Sequence, residues 1–333
     1  MQITKSIPPP SSGRLQRLLK HGDRPWQMLI MAISAGVLIL VVGIGFMLWQ
    51  QSISAQRVLG LKFILPTLNA SWNPALNQFQ AWPFIYGTFM TSIMAILLAV
   101  PISLGVAIFL AELCPPWLRL PLNWLVELLA AIPSVVYGLW GIFVFLPKVV
   151  VPFGHFLSAT LGAVPGLSVF FAGSIPLSGS SRLAAAMILT IMIIPTITAV
   201  SRDVLLAVPD HQREAALALG ATRWETIWQV LLPYGLSGIL GAVILGLGRA
   251  LGETMAVTMV IGNSIGGSPS LLQPGYTMAS IIANEFSESV SGLHTQALIE
   301  IGLVLFIITL LLNFIARLLV WRVSRRTPQE ARA

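Results

Sequence analysis

Glu214-Ala215-Ala216-Leu217-Ala218-Leu219-Gly220, then nine residues, then Val230-Leu231-Leu232-Pro233, separates two long apolar runs at 183–204 and 234–262. The first part has helix-forming side chains and ends on a glycine, which tolerates the left-handed backbone that closes a helix. Pro233 stands where the next apolar run begins. The stretch therefore predicts a short, rigid helical knob between two membrane crossings, a shape suited to a groove on a soluble partner.

Composition carries the same message outward from this loop. Of 333 residues, 56% are hydrophobic and 9% charged, with a mean hydropathy of +0.85. Ordinary soluble domains carry about 25% charged residues. So few charges cannot cover the surface of a soluble fold with this much apolar side chain, so most of the surface faces lipid. Further apolar runs lie at 28–49, 84–111, 122–147 and 297–320, six with the two already named. The first has 22 uncharged residues, enough to cross a hydrocarbon layer of roughly 30 Å and longer than the roughly 7 to 15 residues of a cleavable signal. It is expected to be a retained anchor. The fold class is all-α: a polytopic membrane protein of about six transmembrane helices.

Charge sets the orientation. If both termini are cytoplasmic, that side holds 14 Lys and Arg: five before residue 25, Arg119, Arg202, Arg213, Arg223 and five from Arg317 onward. The other side holds four, Arg57, Lys62, Lys148 and Arg182. Basic residues favour the cytoplasmic side of membrane proteins. The formal net charge of +7 thus reflects membrane topology, and nucleic acid is not an expected partner. Cys114 is the one cysteine, and His21, His155, His211 and His294 lie in different segments, so neither a disulfide nor a metal site is expected.

Pro101, Pro133 and Pro195 interrupt the apolar runs, and glycines crowd the fifth. Proline frees a carbonyl and kinks a helix, and glycine lets a neighbouring backbone approach. Three longer connections, at 50–83, 149–182 and 263–296, are open to reading as re-entrant segments, docking surfaces or plain connectors. The third holds Gly266-Gly267.

Arg249 and Glu253 lie in the fifth run, four residues apart, and in a continuous helix would share one face. A charge at membrane depth costs roughly 2.5 to 3.5 kcal/mol on insertion scales, so both should point into protein or an aqueous path. Either they brace helices beside a Gly248-x-x-x-Gly252 packing seam, or they form a translocation site in which Arg249 meets an anion and Glu253 holds the arginine between passages. Glu127 and Glu300, nearer the ends of their runs, are weaker candidates. No G-x-x-x-x-G-K-[ST] phosphate loop, G-x-S-x-G or H-E-x-x-H occurs. If ATP is used, another chain binds it.

The 214–233 stretch resembles the EAA loop of ABC importer permeases, departing from it in Val230 for isoleucine. With Ile132-Pro133-Ser134-Val135-Val136-Tyr137-Gly138 and 246–255, it is similar to PstC-type permeases of phosphate ABC importers, from about residue 84 to the C-terminal tail. That resemblance implies the type I ABC importer permease fold in a bacterial inner membrane. The expected segments are a cytoplasmic tail at 1–27, an anchor at 28–49, a periplasmic loop at 50–83, a permease domain at 84–322 with its coupling loop at about 205–233, and a cytoplasmic tail at 323–333. It implies ATPase coupling through Glu214, Ala215, Ala216, Gly220 and Pro233, and phosphate passage at Arg249 and Glu253. It further implies a homologous PstA-type permease, two PstB-type ATPases that bind ATP and Mg, and a PstS-type periplasmic phosphate-binding protein. This chain would carry no cofactor and do no catalysis. A permease for sulfate or molybdate, or a channel or secondary transporter working alone, are the alternatives.

Overall fold

Arg182–Leu206 is the most buried of the long helices in the fold. The structure is a computed structural model that describes residues 13–66, 71–265, 268–289 and 292–324. Lys5, Gly266-Gly267 and the basic tail from Arg325 on lie outside the described residues. In chain order the helices are α1 (Gly13–Leu59), α2 (Trp82–Ile108), α3 (Pro116–Ala131), α4 (Ser134–Trp140), α5 (Val151–Thr160), α6 (Ser168–Phe171), α7 (Arg182–Leu206), α8 (Asp210–Ala218), α9 (Arg223–Thr226), α10 (Leu232–Gly252), α11 (Met255–Val260), α12 (Met278–Glu285) and α13 (Gly292–Ser324). Among the described residues there is no strand. Six helical stretches are long and apolar enough to cross a membrane: Trp26–Phe63, Trp82–Leu113, Ser134–Thr160, Arg182–Leu206, Arg223–Gly252 and Gly292–Arg322.

The chain divides into two compact units, Met1–Gln51 and Ser52–Ala333. In the first, side chains such as Met31, Ile39 and Phe46 are exposed, as expected of a helix in lipid. In the second, α7 packs against α2, α10, α3 and α11. Small residues make this possible. Ala95, Ala99, Ser103 and Ala107 recur every four residues along α2 and are fully buried. Thr198 Oγ1 donates to the Ser103 carbonyl at 3.4 Å, and Ser103 Oγ donates to the Ile194 carbonyl at 3.3 Å. On α10 the matching stripe is Gly238, Ala242, Gly246 and Ala250. A Cβ on Gly238 would meet Val204 at 2.5 Å, and one on Gly246 would meet Ile197 at 2.7 Å. Association of helices in lipid depends on such close approach, because apolar side chains gain nothing there by leaving lipid for protein.

Two apolar runs are divided where the sequence suggested one helix each. The run at 122–147 contains the end of α3, a break at Ile132-Pro133 and the start of a new span at Ser134. Pro133 disfavours helical backbone at the residue before it, and Ile132 is accordingly extended at φ −63°, ψ 128°. The span then continues to Thr160, taking in Lys148 and part of the expected connector at 149–182. The run at 234–262 likewise divides. α10 stops at Gly252, Glu253 is extended, and α11 starts at Met255.

Helical turns widen to π geometry at Gly141–Val150, which contains Pro147, and at Ile227–Leu231, just before Pro233. Proline lacks the N–H for the preceding turn and its ring crowds the carbonyl four residues back, so a wider turn relieves both faults.

At the end of α7 opposite α8, the connection after α11 folds back into the protein. Leu271 and Leu272 join the buried core, and Arg182, itself buried, donates from Nη1 to the carbonyls of Ser268 (2.8 Å) and Ser270 (2.9 Å). Gly275 lies against the guanidinium, where a Cβ would come within 2.5 Å of Arg182 Nε.

Candidate functional site

Two regions of the second unit carry the residues singled out in the sequence: the α8 segment and the face of α10 around Arg249.

At the end of α8 the Ala221 N–H returns to the Ala216 carbonyl (3.1 Å) and the Gly220 N–H to the Leu217 carbonyl (3.0 Å), with Gly220 at φ +89° between them. This pattern closes a helix and needs a residue at ease in the left-handed region. No atom comes within 4 Å of where a Gly220 Cβ would stand, so glycine serves the backbone there and not a close contact. Thr222 then caps α9, exchanging hydrogen bonds with Glu225. Glu214, Ala215 and Gly220 are exposed, Ala216 is half-buried, and Pro233 is exposed at the start of α10. Leu219 is 90% exposed at the tip, with Trp224 and Trp228 also exposed nearby.

Arg213 holds this segment in place. Its guanidinium pairs with Glu112 Oε1 at 2.9 Å and with Asp210 Oδ1 at 2.6 Å, and donates to the carbonyls of Leu205 (2.8 Å) and Val208 (3.0 Å). Both Arg213 and Glu112 are largely buried. One side chain thus ties α8 to the last turn of α7 and to the far end of the second span. Sequence reasoning passed over Arg213 although it directly precedes Glu214, because its partner Glu112 lies 101 positions away.

Arg249 is half-buried on α10 and donates from Nη1 to Thr196 Oγ1 of α7 at 3.2 Å. It lines an open cavity of about 820 Å³ with Thr196, Gly241, Gly248, Asn313 and Arg317 among its walls. Glu253 is not among the residues that line it. α10 ends at Gly252, and the Glu253 carboxylate accepts from the Ala256 N–H at 3.3 Å, capping α11. Arg249 and Glu253 are not paired with each other: the arginine is held by Thr196, and the chain leaves the helix after Glu253 so that its carboxylate is engaged by the start of α11. Gly248 and Gly252 make no close packing contact within this chain. Nothing lies within 4 Å of a Cβ at either glycine, and the close contacts belong to Gly238 and Gly246 on another face.

Of the weaker candidates, Glu127 lies on α3, outside any span, with its side chain 3.7 Å from Arg202. Glu300 is buried in α13. Tyr137 of the 132–138 stretch donates to the Leu129 carbonyl at 2.9 Å, stitching α4 to α3 across the Pro133 break. Among the described residues no group of His, Cys, Asp or Glu is arranged to hold a metal.

Comparison with known proteins identifies the family. Residues 103–327 match the family described as binding-protein-dependent transport system inner membrane component. The chain is 45% identical over 309 residues to the phosphate transport system permease protein PstC of Xylella fastidiosa (strain 9a5c), covering 92% of this chain and 93% of that one. It is 43% identical over 324 residues to PstC of Haemophilus influenzae, covering 97% and 98%. Among solved structures it is similar in fold to a bacterial alginate ABC transporter in complex with alginate pentasaccharide-bound periplasmic protein, with a TM-score of 0.58, 16% identity, and coverage of 92% of this chain and 98% of that one. The chain belongs to the binding-protein-dependent transport system inner membrane components, and within them to the PstC phosphate permeases.

Proposed function

We propose that this chain is one of two membrane subunits of an ATP-driven phosphate importer and supplies one wall of the path for the anion. Arg249 carries the proposal: a guanidinium in a membrane-spanning helix, lining a cavity, with no carboxylate paired to it among the described residues. A planar fork of N–H donors suits a tetrahedral oxyanion. Glu253 acts indirectly, by ending the helix that carries the arginine.

The remaining walls would come from a PstA-type homologue. The exposed α8 tip would seat in a PstB-type ATPase, which binds and hydrolyses ATP, and a PstS-type protein would deliver phosphate at the opposite end. The basic bias assigns the α8 end to the cytoplasm and, with six spans, both termini as well. Nucleotide-driven closure of the ATPases would then shift the permease between outward- and inward-open states.

The test is uptake by the complete complex in proteoliposomes supplied with loaded binding protein. Phosphate uptake should require ATP and this chain, and excess sulfate should leave it unchanged. ATP-independent flux through this chain alone would make it a channel or secondary transporter instead.

A further inference from the structure

Between Glu300 and Arg322, α13 has three polar side chains: Thr309, Asn313 and Arg317. They recur every four residues and therefore share one face of the helix. All three line the cavity that contains Arg249 and Thr196, and no Asp or Glu is among its lining residues. Thr309 Oγ1 donates to the Leu305 carbonyl at 2.7 Å, and Asn313 Nδ2 donates to the Thr309 carbonyl at 2.9 Å. The rest of the Asn313 amide remains available to a ligand. Arg317 is exposed and makes no hydrogen bond or ion pair among the described residues.

α10 leads away from the α8 end and α13 leads back towards it, so Arg249, late in α10, lies farther from the α8 end than Arg317, late in α13. Thr309 and Arg317 are eight residues apart, about 12 Å along a helix. Two cationic donors lining one cavity, with hydroxyl and amide groups beside them, solve a general problem of passage: one strong site would trap the anion, whereas successive weaker sites let it enter and leave.

We propose that Arg317, with Asn313 beside it, is a second station for a tetrahedral oxyanion, which receives inorganic phosphate from Arg249 and releases it at the α8 end. This rests on the reading of Arg249 as part of the phosphate path. The phosphate of a lipid headgroup shares the chemistry, because an arginine near a helix end can reach the membrane surface.

The experiment uses the complete complex in proteoliposomes, with phosphate uptake normalised to assembled complex. Arg317→Gln should lower maximal uptake about tenfold or more, the scale of losing a charge-assisted hydrogen bond. The concentration of loaded binding protein giving half-maximal uptake should not change, since the station lies beyond the point of delivery. Arg317→Lys should be intermediate and Asn313→Leu impaired. In a Cys114→Ser background, Arg317→Cys should recover uptake when a cationic aminoethyl thiol reagent restores the charge. Wild-type uptake by Arg317→Gln, or no recovery on restoring the charge, would overturn the proposal.

Vesicles with and without anionic lipid separate the two sources of phosphate. For inorganic phosphate, the ratio of wild-type to variant uptake should be the same in both. If wild-type uptake falls to the variant's level when anionic lipid is omitted, a headgroup occupies the site and the station is refuted. Failure of the underlying reading looks different, because Arg249→Leu would then transport normally whatever Arg317 does.

Discussion

At Glu253 the backbone leaves the helix, and this one change alters what the neighbouring charges can do. Four-residue spacing on α10 would let the two charges meet, but Arg249 donates to Thr196 while Glu253 accepts from the Ala256 N–H of the next helix, and hydropathy saw no break because Met255 to Val260 are as apolar as the residues before them. Arg249 and Glu253 should then act independently. Arg249→Leu should nearly abolish uptake, and Glu253→Gln should be mild, because an amide oxygen can still accept from the Ala256 N–H. A double-mutant cycle on uptake per assembled complex should show additive effects; rescue of the arginine variant by removing Glu253 would restore the ion-pair picture. Gly220 allows a comparably sharp separation. A side chain there meets no neighbour, but the φ of +89° is strained for any branched residue. Gly220→Asn should keep most coupling because asparagine tolerates the left-handed region, whereas Gly220→Val should reduce the response of ATP hydrolysis to loaded binding protein. Equal activity of the two variants would show that the shape of this turn does not matter.

Among the elements, those readable in advance were the ones with a local cause. The knob at α8 follows from its own residues: a helix-forming run, a glycine that closes it and Thr222 with Glu225 to cap the next turn. The bounds of the third span were misplaced because a window of apolar residues runs on through Pro133, where the backbone ends one helix and starts the next. The packing stripes on α2 and α10 are visible as periodic small residues, but which stripe meets α7 depends on tertiary contacts that no local pattern encodes. Gly246 is one such contact. Gly246→Leu forces methyl groups into Ile197 and should cost roughly 1 to 3 kcal/mol, read as a lower thermal midpoint of the complex, while Gly248→Leu should lower it less because nothing in this chain stands within 4 Å of its Cβ. The Arg213 anchor was equally hidden. Removing one member of a largely buried pair strands the other, so Arg213→Ala should detach α8 from the bundle, and ATP hydrolysis should continue without uptake. Arg213→Lys should recover only part of the coupling, since a single ammonium cannot serve Glu112, Asp210 and two carbonyls together.

In the whole molecule, charge and chain direction must agree if the path is to have an inside and an outside. α7 runs from the buried Arg182 at one end to the exposed α8 segment at the other, and the next span returns. The two ends differ in build. At the Arg182 end a connection folds back and is pinned by buried hydrogen bonds, while the α8 end presents Leu219, Trp224 and Trp228 to whatever covers them. Exposed apolar side chains around a rigid knob suit a permanent protein partner, and a soluble ATPase can stand only where ATP is present, so under the proposed function the basic bias and the surface chemistry both call for a cytoplasmic α8 end. Single cysteines in a Cys114→Ser background test this directly. Gly220→Cys and Arg119→Cys should be shielded from an impermeant thiol reagent in intact spheroplasts and react once the membrane is opened. Gly173→Cys and Ser289→Cys should react from outside in both preparations. Reaction of the Gly220 variant in intact spheroplasts would reverse the orientation, and the ATPase-docking role of α8 would be lost with it.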